Sequence, residues 1–240
     1  MQDVKSASIP RRVATVVVVA VLTAGWAAGC GGGDTAGSST TAAEFSGYTR
    51  TPAPSVASVT LPSADGTEVG FAASPGGVRL VYFGYTSCPD VCPTTLSDVK
   101  RAIASLPEAD RPKVSVDMVS IDPARDTAEK LTQYVTTFVP TGVAVRTDDD
   151  ARLRAAARAF GADYEVTPGA DGNPEVIHTA ELYAVDDQGR VVLIWPFGTA
   201  RDALARDLRR LLAGERPRGV AGPSTTPRPT ADPSTGQPAS

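Results

Sequence analysis

Three side chains in this 240-residue sequence could do chemistry together: Cys88, Cys92 and His178. The two cysteines close the run "VYFGYTSCPDVCPTTL", each followed by a proline. A proline pushes the residue before it out of the α region, so the sequence predicts both cysteines to be non-helical. Pro89 suits the second position of a turn, which would bring Cys92 back towards Cys88. Cys92 then falls at the N-cap of a following helix, where open N–H groups favour thiolate.

Three readings of the pair compete. As a staple it would close a loop of five residues, worth only ~2 kcal/mol. As a redox dithiol it gains from the helix N-terminus, although the spacing is not CxxC and Asp90 opposes thiolate formation. As a soft-metal site it offers two thiolates suited to Cu(I) or Zn(II), with Asp90 attracting the cation. The residues leave metal and redox open together, ahead of the staple. His178 is the sole histidine and follows the turn-rich segment "TPGADGNPEVI". That places it beside a loop at a strand end, where site residues are common. It would complete a three-coordinate Cu(I) site or three positions of a tetrahedral zinc site. The 85 residues between Cys92 and His178 are too many for a zinc finger, so the fold must assemble such a site.

The elements that would position these residues alternate. "VRLVYFGY" (78–85) reads as a central buried strand. Cys92 to Leu106 reads as a helix with Pro93 first and Pro107 beyond its end. "VSVDMVSI" (114–121) is a strand, and Asp126 to Phe138 a helix whose Asp126 and Glu129 have capping-box spacing. A short strand, "GVAVRT", precedes a helix over 148–160, and "AELYAVDDQGRVVLIW" (180–195) reads as two strands about a turn. Thr199 to Leu212 forms the last helix. The βαβ start implies parallel strands, and the late hairpin adds an antiparallel part. An α/β domain with a mixed sheet, helices on both faces and a cysteine motif at a strand–helix junction is thioredoxin-like.

The flanks are of different character. Lys5, Arg11 and Arg12 precede a largely apolar stretch of twelve residues, 13–24, too short to cross a bilayer, which needs ~20. This predicts a signal peptide over 1–29. "AAGC" then resembles a lipobox that would make Cys30 the lipidated first mature residue. Residues 1–29 carry three Lys/Arg and one Asp, so cleavage takes the formal charge from −4 to −6 and leaves 211 residues. An acidic chain without a basic cluster is a poor nucleic-acid partner. Outside the cytoplasm the pair Cys88–Cys92 could form a disulfide. Residues 30–57, small and polar, read as a flexible tether, 58–213 as one domain, and 214–240 as a disordered Pro/Ser/Thr-rich tail.

Together "FGYTSCPDVCPTTL", "VSIDPARDTAEKLTQYV" and "IHTAELYAVDDQGRVV" resemble the Sco/SenC family, from about Val59 to Leu212. The resemblance implies a membrane-anchored, thioredoxin-fold copper-binding protein that assists assembly of the binuclear copper centre of cytochrome c oxidase. By position it makes Cys88 and Cys92 the thiolate copper ligands and His178 the third. It also implies an extracytoplasmic place on the cell membrane, with the oxidase's copper-centre subunit as partner. A thiol–disulfide oxidoreductase acting on that subunit's cysteines is the alternative. The "DPxRDT" segment, Asp122 to Thr127, reads as architecture. Two positions depart from the family pattern: Ile177 stands where many members have Asp, and Ser87 where several have His.

Overall fold

The computed structural model describes residues 44–170 and 172–220. Strands β1 (Thr60–Pro62) and β2 (Glu68–Gly70) form a small antiparallel hairpin. The central unit follows: β3 (Val78–Gly84), α1 (Val91–Ala104), β4 (Val114–Ser120), α2 (Ala128–Phe138), β5 (Val143–Val145) and α3 (Asp150–Phe160). A second hairpin, β6 (Tyr164–Pro168) and β7 (Pro174–His178), leads into β8 (Glu181–Val185), β9 (Val191–Pro196) and α4 (Arg201–Leu212).

The main sheet has the order β5-β4-β3-β8-β9. β3, β4 and β5 run parallel, while β8 is antiparallel to β3 and β9 to β8. β3 lies in the middle, and every residue of it except Arg79 is buried, hence its unbroken apolar run. Successive side chains take opposite faces. Leu80 and Tyr82 join a core with Leu96, Leu131 and Leu208 from α1, α2 and α4. Val81 and Phe83 join the other, with Leu153 and Phe160 of α3. The mixed sheet with helices on both faces is the thioredoxin-like arrangement the sequence predicts.

Four local expectations change. Residues 48–56, assigned to the tether, lie along β9: Tyr48 exchanges backbone bonds with Ile194 at 2.9 Å each way, and Val56 is fully buried. Backbone pairing and one apolar anchor outweigh a composition that reads as linker. Beyond α4 the chain also stays in contact with it, Val220 packing against the core and Arg216 donating to the Leu211 carbonyl at 3.0 Å. α1 starts at Val91, so Cys92 is its second residue and Pro93 its third. Proline is harmless there, since first-turn N–H groups have no partner inside the helix. The N-cap of α2 is Thr127, whose hydroxyl accepts from the Lys130 amide, rather than Asp126. The signal peptide, Cys30 and residues 221–240 lie outside the described residues.

Candidate metal centre

The two cysteines sit where β3 gives way to α1. The Cys88 amide donates to the Tyr85 carbonyl at 3.3 Å, closing a turn. The Cys92 amide, one of the open N–H groups of α1, donates to Cys88 Sγ at 3.3 Å. The helix N-terminus therefore serves Cys88 and not Cys92. Both thiols are free, Cys88 at 8% exposure and Cys92 at 0%. This core burial, together with the amide bond to Cys88, overrides the bias of a pre-proline residue against helix.

Cys92 is held by the two β3 residues Tyr82 and Gly84. The Tyr82 hydroxyl donates to its Sγ at 3.5 Å. Gly84 lies against it, since a Cβ there would stand 3.0 Å from Cys92 Sγ and 3.2 Å from Met118 Cε. The expected thiolate is not what this setting favours. Burial pushes the Cys92 thiol up to about 12, more than its hydrogen bonds lower it. Low dielectric penalises the charged form unless a cation arrives to compensate it.

His178 is the last residue of β7, paired directly with Tyr164 at the start of β6. It thus stands at a strand end beside a short connection, as the sequence predicts, on a hairpin strand that the sequence does not reveal. The base of this hairpin is pinned: Thr179 N donates to the Asp163 carbonyl at 2.9 Å, and Asp163 N to Thr179 Oγ1 at 3.0 Å. Tyr164 donates to Asp150 of α3 at 3.0 Å and lies under Arg154, 4.7 Å from guanidinium to ring centroid. His178 Nδ1 lies 3.2 Å from the Thr179 carbonyl. A carbonyl only accepts, so Nδ1 carries the proton and Nε2 keeps its lone pair. Desolvation lowers the ring's pKa, favouring the neutral imidazole a metal requires. Tyr82 and Tyr85 meet the ring edge-on, with centroids 6.2 and 6.0 Å away.

One ligand atom each from Cys88, Cys92 and His178 lies within 4.8 Å of the others. The fold therefore brings together all three predicted donors across 85 intervening residues. Two sulfurs and one neutral imidazole nitrogen form a soft donor set, suited to Cu(I) and to zinc and unsuited to Mg or Ca.

Residues that the sequence does not assign to the site complete the setting. Asp126 is fully buried and accepts from the Thr86 amide at 3.1 Å, from the Thr86 hydroxyl, and from Ser120 Oγ at 2.7 Å. Lys130 Nζ reaches Ser87 Oγ at 3.2 Å, and Arg125 lies over the Tyr85 ring while pairing with Asp122. The "DPxRDT" segment is thus architecture, as expected, but it is architecture of the cysteine loop. Tyr82 and Gly84 carried their signal as polar and small residues inside a buried strand.

Fold and site define a thioredoxin-like domain with a two-thiol, one-imidazole cluster at the first strand–helix junction. The sequence profile of the SCO1/SenC family matches residues 48–213, and the chain belongs to that family. A putative copper-binding protein of Stutzerimonas stutzeri is 30% identical over 150 residues, covering 59% of this chain and 69% of the relative. Apo Sco1 from Thermus thermophilus superposes with a TM-score of 0.61 at 34% identity, over 70% of this chain and 96% of that one. ScoI from Bradyrhizobium japonicum, solved with copper bound, does so with a TM-score of 0.56 at 30% identity, over 63% and 96%. Copper is the ion bound in the Bradyrhizobium japonicum protein, and it matches the donor set here.

Proposed function

We propose that this protein is a lipid-anchored copper metallochaperone on the outer face of the cytoplasmic membrane. It takes one copper ion on Cys88, Cys92 and His178 and passes it to the copper-centre subunit of cytochrome c oxidase. The observation that carries this reading is the convergence of the three donor atoms within 4.8 Å. The copper-bound relative of the same fold supports the metal, and the lipobox-like "AAGC" supports the anchor.

Binding Cu(I) exchanges the thiol protons for the ion, and both protons leave to solvent. The chain's residues divide the work. Cys92 is the enclosed ligand and keeps its proton until copper displaces it. Cys88 and the half-buried His178 lie nearer solvent and are the donors an incoming partner ligand can replace first. Nδ1 held on the Thr179 carbonyl keeps Nε2 free to coordinate. Transfer is then a series of ligand exchanges that never leaves the ion bare.

The free dithiol favours a second reading, a thiol–disulfide oxidoreductase that keeps the recipient's cysteines reduced. That role needs both cysteines and no imidazole. Copper stoichiometry and affinity of the full-length chain in detergent, fully reduced, for wild type and His178→Ala, separate the two. The proposal expects one copper in wild type and affinity at least tenfold weaker in His178→Ala, on the scale of losing one ligand or its support. Equal affinity in the two proteins would remove the three-ligand site, and no copper in wild type would leave the oxidoreductase.

A further inference from the structure

Tyr82 touches two of the three donors. Its hydroxyl donates to Cys92 Sγ at 3.5 Å, and its ring edge faces the His178 imidazole at 6.2 Å. The side chain is fully buried in the central strand, so neither contact is a chance of surface mobility. Gly84, two residues on and on the same face of β3, makes the first contact possible. A Cβ at Gly84 would stand 2.6 Å from Tyr82 Cε1 and 3.0 Å from Cys92 Sγ. The strand gives up a side chain at the point where phenol and sulfur meet.

The acceptor at this bond changes with the state of the site. A thiol sulfur is a weak acceptor, a disulfide sulfur has less charge to offer, and a thiolate, free or metal-bound, accepts a charge-assisted bond about twice as strong as a neutral one. One fixed donor therefore favours the reduced pair over the disulfide, and the metal-bound thiolate over both.

Resting on the copper-site reading above, the geometry assigns Tyr82 as a positioning residue. Its hydroxyl fixes the Cys92 sulfur and biases the Cys88–Cys92 pair towards the reduced, copper-ready form. In the redox step the Cys88–Cys92 disulfide takes two electrons and two protons from an external dithiol, which becomes its own disulfide. The S–S bond breaks and two S–H bonds form. Tyr82 gives up neither electron nor proton.

Tyr134 supplies the control. Its hydroxyl is buried and has no hydrogen-bond partner among the described residues, so its loss changes a nearby tyrosine without touching a ligand.

The test equilibrates the full-length, copper-free chain with dithiothreitol redox buffers and reads the dithiol–disulfide constant. Because the reduced Cys92 is a neutral thiol and only the difference between thiol and disulfide as acceptors counts, a bond at the weak end of the net range, about 0.5 kcal/mol, predicts that Tyr82→Phe disfavours the dithiol about twofold, or about 10 mV for a two-electron couple. Tyr134→Phe is expected to match wild type. A fluorinated, more acidic tyrosine placed at position 82 keeps the ring and strengthens the donor, and should move the constant the opposite way. In Cu(II)-loaded protein the thiolate-to-copper band should shift to lower energy in Tyr82→Phe alone. An unchanged constant in both position-82 variants, or an equal shift in Tyr134→Phe, overturns the assignment. Failure of wild type to bind copper would sink the metallochaperone reading and leave the copper-free measurement to judge Tyr82.

Discussion

The Asp126 carboxylate accepts hydrogen bonds from both the backbone amide and the hydroxyl of Thr86, 40 residues earlier in the chain. Thr86 lies two residues before Cys88, and Ser120 at the end of β4 donates to the same carboxylate. One buried acid thus ties the cysteine loop to the neighbouring strand. Asp126→Asn keeps the shape but turns one acceptor atom into a donor facing donors. Leaving buried groups unsatisfied costs about 2 kcal/mol, a fall in Tm of about 4–8 °C for a domain of this size. Calorimetry would measure the fall, and copper competition should show weaker binding because the Cys88 loop loses its anchor. An Asn variant with unchanged Tm would mean the cluster is not under load.

Gly84→Ala adds one methyl between Tyr82 Cε1, Cys92 Sγ and Met118 Cε, all within 3.2 Å of the new carbon. Overpacking a core of this kind costs about 1–3 kcal/mol. The expected signature is double: lower stability in denaturant titration and weaker copper binding, because Cys92 must shift away from the other donors. Loss of stability with copper affinity intact would show that the sulfur has room to move.

Copper affinity should rise with pH. Cys92 holds its proton up to about 12 in the copper-free protein and releases it on binding. A group protonated in the free state and deprotonated in the bound state strengthens binding as protons become scarce. Each proton released contributes about tenfold per pH unit, from 1.36 kcal/mol per unit. Competition titrations at several pH values between 6.5 and 8.5 would read the slope. A flat profile would contradict a protonated resting thiol.

The two thiols should differ in reactivity. Cys92 is enclosed and Cys88 partly open, so a small alkylating reagent should label Cys88 first in the native, reduced protein, and both after denaturation. Peptide mass mapping reports the order, and equal labelling in the native state would show that the junction opens readily.

The sequence carried the parts of the fold whose burial is one-sided or complete. β3, β4, β8 and β9 are apolar runs, and α1 to α4 repeat their apolar residues at helical spacing. The three donors were legible for a different reason, being rare side chains in a chain with one histidine and three cysteines. The hairpin that carries His178 was not. β6 and β7 have only Tyr164 buried, and Pro168 faces Pro174 near its tip. Prolines at the end of one strand and the start of the other, and the near absence of a buried face, leave these two short runs without a strand signal. Asp126 was misread because Asp126 and Thr127 both satisfy the capping preference, and a shift of one residue decides which of them faces the helix and which the core. The placement of residues 48–56 along β9 rests on backbone bonds, which composition does not encode.

His178 leaves the hairpin at its base, opposite Tyr164, while its turn, beyond the Pro168–Pro174 pair, lies at the far end. The register of the imidazole is therefore set by Asp163, Tyr164 and Thr179, and not by the length of the arm. Residues can be inserted or removed around that turn without moving the third donor relative to the sulfurs. The length of the arm can therefore vary while the placement of the three donor residues stays constant. The hairpin thus separates the residues that set the donor geometry from those that set its length.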